Sequence, residues 1–171
     1  MSLIKGHAWR FGDDVSTDDI ISGVYLQLSI PEMAPYTFAA VRPEFAKQVK
    51  PGDIVVGGRN FGIGSSREEA PAALRVLNVG AVIAASFARI FFRNAFNLGL
   101  PAIEMPALVT NPDLIRQGDQ LELSLDRGTV LNHRTSKTLE TAHVPGFLLE
   151  YIQAGGAIPL LKRRIADKRQ K

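Results

Sequence analysis

Apolar and polar positions alternate along this chain in short blocks divided by glycine and proline, which predicts interleaved strands and helices rather than one long periodic element. Residues 3–10 read as a strand, and the polar run Gly12-Asp13-Asp14-Val15-Ser16-Thr17-Asp18-Asp19 as a loop. Residues 20–29 continue as an irregular connection, and 31–50, broken by Pro31, Pro35 and Pro43, as short helical turns. Pro51-Gly52-Asp53 marks a turn into the buried strand Asp53-Ile54-Val55-Val56. A glycine-rich loop, 57–64, follows.

Ser65 and Ser66 each stand three residues before a glutamate, Glu68 and Glu69, so a capping box is expected to start a helix here. Pro71 is expected to open a second helical stretch running through Leu77 and stopping at Gly80. Ala81 to Ala85 reads as a buried strand, and Ser86 as the cap of a helix carrying Phe87, Ile90, Phe91 and Leu98 to Gly99. Leu100 to Glu104 is a further strand. Asn111-Pro112 opens a helical turn closed by Gly118-Asp119. Segments at about 120–125, 128–133 and 137–142 predict a meander, and 146–154 a last helix stopped by Gly155-Gly156. The pattern predicts an α/β or mixed three-layer fold.

The 171 residues fit one domain, with 46% apolar and 22% charged residues. With no cysteine, the chain itself has no disulfide, thiol nucleophile or thiolate-held iron–sulfur cluster. His7, His133 and His143 are isolated and read as structural or surface residues. No apolar run is long enough for a transmembrane helix, and the first residues lack a signal core, so a cytoplasmic protein is expected. The net charge is +3, but residues 161–171 alone carry six basic side chains and one acidic, leaving residues 1–160 at −2. The chain is divided accordingly into a domain, 1–160, and a basic tail, 161–171, read as a solvated end.

The richest chemistry lies in Asn60-Phe61-Gly62-Ile63-Gly64-Ser65-Ser66-Arg67-Glu68. Glycines allow close backbone approach, a helix start offers free N–H groups, and Arg67 grips a carboxylate bidentately or favours a deprotonated serine. These features predict a pocket for a carboxylate or phosphate. No lysine follows to make a phosphate-binding loop, and the dinucleotide fingerprint is incomplete. A tight turn with a serine cap and a surface arginine accounts for the same residues. Asp13, Asp14, Asp18 and Asp19 crowd four carboxylates into seven residues, without the spacing of a calcium loop. Phe87 and Phe91, interleaved with Arg89 and Arg93, fit RNA stacking or a core; helical spacing favours the core.

Three stretches, Gly12 to Ile21 (GDDVSTDDII), Gly57 to Pro71 (GGRNFGIGSSREEAP) and Val82 to Pro101 (VIAASFARIFFRNAFNLGLP), resemble the small subunit of 3-isopropylmalate dehydratase, the detached swivel domain of the aconitase superfamily. The likeness covers nearly the whole chain in order. It implies a swivelling β/β/α domain and a large-subunit partner, in a heterodimer or heterotetramer, that carries a [4Fe–4S] cluster. It implies a hydro-lyase that removes water from a 2-hydroxy acid and returns it at the neighbouring carbon. By motif position Ser65 matches the base that takes the carbon-bound proton. Arg67 matches the arginine that binds substrate carboxylate and supports the serine oxyanion. Ser66 matches a substrate hydrogen-bond donor beside Gly64, and Asp18 the aspartate that approaches a histidine of the large subunit.

In this family the loop after Thr-Asp contacts the variable substituent; here it reads Tyr25-Leu26-Gln27-Leu28-Ser29 and carries no arginine between Ile20 and Pro31. That disfavours a third carboxylate and suits 3-isopropylmalate in leucine biosynthesis, with 2,3-dimethylmalate, 2-methylmalate or citraconate, and homoaconitate as alternatives. Ile63 stands where many members have cysteine and Glu69 where many have histidine. A non-enzymatic carboxylate- or RNA-binding module is the alternative of another class, though the intact Ser65-Ser66-Arg67 group argues against it. Neither a membrane nor a nucleic acid is expected as a partner.

Overall fold

The strand expected at 3–10 forms as β1 (Leu3–Arg10), and it organises the sheet because its two halves pair differently. In the computed structural model, which describes residues 3–169, Leu3–His7 pairs antiparallel with β5 (Gln120–Ser124). Ala8–Arg10 pairs parallel with β2 (Ile54–Gly57). Beyond β2 lie β3 (Ala81–Ala84) and β4 (Ala102–Glu104), both parallel; beyond β5 lie β6 (Thr129–Asn132) and β7 (Lys137–Glu140), the expected meander. The seven-stranded order is β4-β3-β2-β1-β5-β6-β7. β2 and β3 are buried at every position, which explains their unbroken apolar sequences: a central parallel strand has no solvent face.

Eight helices complete the described residues: α1 (Thr17–Ile20), α2 (Ile30–Met33), α3 (Phe45–Gln48), α4 (Glu69–Val76), α5 (Arg89–Asn97), α6 (Ala107–Thr110), α7 (Gly146–Ala154) and α8 (Ala157–Arg169). Short α2 and α3 fit the proline-broken segment, and α7 ends at Gly155 as expected. The α/β class is borne out.

Five local expectations are corrected. The helix expected from Ser65 or Ser66 begins only at Glu69, with Glu68 at its N-cap making no side-chain cap bond. Pro71 is the third residue of this one helix, where its missing N–H would have had no partner anyway, so no second stretch opens. Ser86 does not cap α5, whose N-cap is Ala88; its hydroxyl accepts the Asn60 N–H at 3.0 Å. Ile90 faces outward, while Phe91, Ala95 and Phe96 form the buried face of α5. The helix expected to be last, α7, is followed by α8, which runs across the 160/161 boundary with Leu160 buried and residues 161–168 exposed. Gln170 and Lys171 lie outside the described residues.

The join between the two sheet halves is held by Asp53, which is 3% exposed. Its carboxylate accepts the His7 N–H at 2.9 Å, the Trp9 indole N–H at 3.0 Å and the Lys50 N–H at 2.9 Å. Replacement by alanine strands three donors. Asp53→Ala is expected to lower the unfolding free energy by about 3 kcal/mol in chemical denaturation, against almost nothing for Glu140→Ala on the exposed edge of β7.

Candidate functional site

The candidate residues gather at the carboxyl ends of β1, β2 and β3, where open α/β sheets commonly bind ligands. Beyond the strands, the loops after β1 and β2 remain paired through their backbones. The N–H of Gly58 donates to the Gly12 carbonyl at 2.8 Å, Asp14 to Arg59 at 2.8 Å, Gly62 to Val15 at 2.7 Å and Thr17 to Ile63 at 2.8 Å. The loop after β3 joins them, with the Phe61 N–H on the Ser86 carbonyl at 3.0 Å and the Ala88 N–H on the Phe61 carbonyl at 2.9 Å. Phe61 is buried and meets Phe91 edge-on at 5.3 Å, so the loop rests on the core. Gly62 has φ +81, and a Cβ there would lie 2.3 Å from the Phe91 ring. No other residue fits that position.

The four carboxylates of the acidic loop separate into distinct partnerships. Asp13 accepts from the Arg59 backbone N–H at 2.8 Å and from its guanidinium at 2.9 and 2.8 Å. These bonds, the backbone one foremost, hold the Asp13 carboxyl below the usual carboxylate range. Asp14 accepts from the Asn60 amide at 2.8 Å. Asp19 closes a capping box with Ser16, at 2.8 and 2.7 Å, and so starts α1 within the run expected to be loop. The signal was present as Ser16 with a carboxylate three residues on. Among the described residues no group of three His, Cys, Asp or Glu side chains is placed to hold a metal ion.

Asp18 meets Arg67, 49 positions on, across a 2.5 Å contact from Nη1 to Oδ1. The same Nη1 donates to the Ile21 carbonyl at 3.1 Å, and the Gly23 N–H donates to Asp18 at 3.0 Å. The Arg67 hydrogen bond, followed by that of Gly23, holds the Asp18 carboxyl below its usual range. The Arg67 side chain is 20% exposed and that of Asp18 is 61% exposed.

Ser65 and Ser66 lie in the turn before α4, exposed, instead of being folded into its first turn. The expected free N–H groups of a helix start at the serines are therefore displaced to Glu69, and the positive group beside the serines is Arg67 alone. The Arg67 N–H closes this turn on the Ser65 carbonyl at 2.8 Å. The Ser66 hydroxyl has no hydrogen-bond partner among the described residues. Thr17, which is 2% exposed, places its hydroxyl 3.2 Å from the Ser65 carbonyl and 3.5 Å from Ser65 Oγ. Gly64, at φ +111, leaves room for that hydroxyl: a Cβ would come within 3.3 Å of it.

The loop 25–29 borders the same face. A cleft of about 240 Å³ runs between Asp18, Ser22, Val24, Tyr25 and Tyr36. Tyr25 stacks on Tyr36 at 4.2 Å, Leu26 and Gln27 are exposed, and Leu28 packs against the core. Ser29 and Glu32 form a second capping box that starts α2. The structure thus brings Asp18, Gly64, Ser65 and Arg67 together, with Tyr25 on the adjoining cleft. Thr17, Val24 and Tyr36 were not foreseen; Thr17 sat within a quoted motif, while the stacking of Tyr36 had no local signal. A larger cleft of about 540 Å³ beside His7, Lys47 and Lys50 touches none of these residues.

Residues 32–108 match the family model of the aconitase C-terminal domain. The chain is 46% identical to the isopropylmalate/citramalate isomerase small subunit of Methanocaldococcus jannaschii, over 97% of this chain and 98% of that one. It is 48% identical to the 3-isopropylmalate dehydratase small subunit of Methanosarcina mazei, over 96% of this chain and all of that one. A crystal structure of 3-isopropylmalate dehydratase from M. jannaschii superposes with a TM-score of 0.92 at 42% identity, over 99% of both chains. The expected aconitase-type swivel fold is borne out.

Because the folded Asp18 pKa lies below its unfolded value, the Arg67–Asp18 link contributes stability above the ordinary carboxylate range and loses it as pH falls through the folded pKa. In an NMR titration the Asp18 carboxyl is expected to titrate below an unperturbed aspartate. In Arg67→Met it should move upward; an unchanged midpoint would refute the arginine as the main cause.

Proposed function

We propose that this chain, which belongs to the family of 3-isopropylmalate dehydratase small subunits, is the smaller subunit of a cytoplasmic hydro-lyase that interconverts 3-isopropylmalate and 2-isopropylmalate in leucine biosynthesis. The observation that carries this reading is the Ser65-Ser66-Arg67 turn, its two serines exposed and its ends held by Thr17 and Asp18, with no described cluster of side chains beside it that suits a metal. Such a face is half of a site, and the small-subunit relatives supply the reason: the other half belongs to a large subunit. The chain joins it as a heterodimer or heterotetramer.

The reaction class also implies a [4Fe–4S] cluster. This chain does not fit such a group: it has no cysteine, and no described cluster of side chains suits a metal. The cluster is therefore assigned to the large subunit, and the roles below concern this chain alone.

Ser65 Oγ, deprotonated, takes the proton from the carbon beside the one bearing the hydroxyl. The C–H bond breaks and an O–H bond forms, the released pair becomes the carbon–carbon double bond, and the hydroxyl leaves with its own bonding pair. In the readdition hydroxide bonds to the carbon that lost the proton, and the double-bond pair takes the proton from Ser65 Oγ at the carbon that had borne the hydroxyl, which restores the alkoxide. Arg67 binds a substrate carboxylate through its planar donors. Nη1 holds Asp18 and the Ile21 carbonyl, which leaves Nε and Nη2 for the substrate, and the exposed Asp18 carboxylate meets a histidine of the large subunit on assembly. Ser66, with its unused hydroxyl, donates to the substrate beside Gly64. Val24, Tyr25, Leu26, Gln27 and Leu28 face or support the alkyl substituent. An apolar, arginine-free loop favours an alkylmalate over a tricarboxylate, and the M. jannaschii isomerase relative, named for both isopropylmalate and citramalate, accords with tolerance between alkyl groups.

The test is turnover of purified small and large subunits together on several alkylmalates. The wild-type pair is expected to act on 3-isopropylmalate, while this chain alone is inactive. Ser65→Ala should lower kcat by about 10³-fold with the complex intact. Arg67→Ala should lower kcat/KM by about 10²-fold, largely through KM. Normal turnover by Ser65→Ala would remove the assigned base.

A further inference from the structure

Ser65 has one hydrogen-bonding neighbour for its hydroxyl among the described residues, and it is not Arg67. The Arg67 Nη1 atom is committed to Asp18 and the Ile21 carbonyl. The neighbour is Thr17, whose Oγ1 stands 3.5 Å from Ser65 Oγ and 3.2 Å from the Ser65 carbonyl. A threonine hydroxyl has one proton and two lone pairs. Beside a protonated Ser65 it donates to the carbonyl and accepts the serine O–H. Beside a deprotonated Ser65 the better acceptor is the alkoxide, because a charged oxygen draws a stronger hydrogen bond than a carbonyl.

Thr17 is also immobile and dry. It is 2% exposed, its N–H is tied to the Ile63 carbonyl at 2.8 Å, and it opens a helix closed by the Ser16–Asp19 capping box. Water does not compete for its proton, which strengthens the interaction. The approach of its hydroxyl depends on Gly64, where a side chain would crowd it.

We infer that Thr17 is a positioning residue for the serine base: its buried hydroxyl swings its proton from the Ser65 carbonyl to Ser65 Oγ as the serine becomes an alkoxide. No bond to substrate is formed, and the proton never leaves Thr17. The inference rests on the proposed role of Ser65.

The experiment uses the assembled pair of subunits and three variants. Thr17→Val keeps the shape and removes the hydroxyl; Thr17→Ser keeps the hydroxyl and removes the methyl. Thr17→Val is expected to lower kcat by about 10²-fold, the scale of losing one donor to a developing oxyanion, with KM unchanged. Thr17→Ser should retain most of the wild-type kcat. A purely packing role predicts the reverse order, because serine leaves the larger void. If Thr17→Val does not assemble, Thr17→Ala, lacking both groups, should show the same kcat loss. Wild-type kcat in Thr17→Val, or an equal loss in Thr17→Ser, overturns the inference and leaves the proposed function standing. A wild-type pair inactive on every alkylmalate overturns both.

Discussion

The site depends on two loops that go on pairing after their strands have ended. Four backbone hydrogen bonds between residues 12–17 and 58–63 carry the β1–β2 ladder outward. Each satisfies an N–H that would otherwise need water, so the segments behave as sheet rather than as loose connections. The Asp13–Arg59 and Asp14–Asn60 contacts fasten the same strip from its solvent side, and Phe61 on Phe91 fastens it from below. Residues 45–49 positions apart in sequence thereby keep fixed separations, which is what a base and its neighbours require.

Much of this was legible in the chain. The apolar runs 54–56 and 81–84 are strands because nothing polar interrupts them, with Gly57 closing the first and Gly80 opening the second. The aconitase-type motifs identified the family and drew attention to the Ser65–Arg67 turn. What misled was local chemistry with two outlets. Ser65 and Ser66 carry a capping-box pattern, yet the loop pairs with Thr17 at Ile63 and then bends, with the Arg67 N–H on the Ser65 carbonyl, so the helix is delayed to Glu69. Ser86 has a cap's hydroxyl but spends it on Asn60, from another loop. Ser16 and Asp19 do make a cap, in a run that composition marked as loop. A capping residue is defined by which orphan N–H reaches it, and when that donor comes from elsewhere in the chain no spacing rule records it.

Charge along the chain is equally a matter of placement. Residues 1–160 are net negative, and the acidic loop looks like surplus until each carboxylate is traced. Asp13, Asp14 and Asp19 are structural; only Asp18 is paired to a group with a proposed role in binding. At the other end, Lys162, Arg163, Arg164 and Lys168 lie exposed on α8.

The two capping boxes, Ser16 with Asp19 and Ser29 with Glu32, bracket the segment that borders the cleft. Each box is a self-contained knot that holds its own helix start whatever lies between. On the proposed roles, residues 22–28 are therefore anchored at both ends apart from the serine turn and its threonine, which separates the segment facing the substituent from the base. That is the architecture expected where close relatives carry the names of more than one alkylmalate.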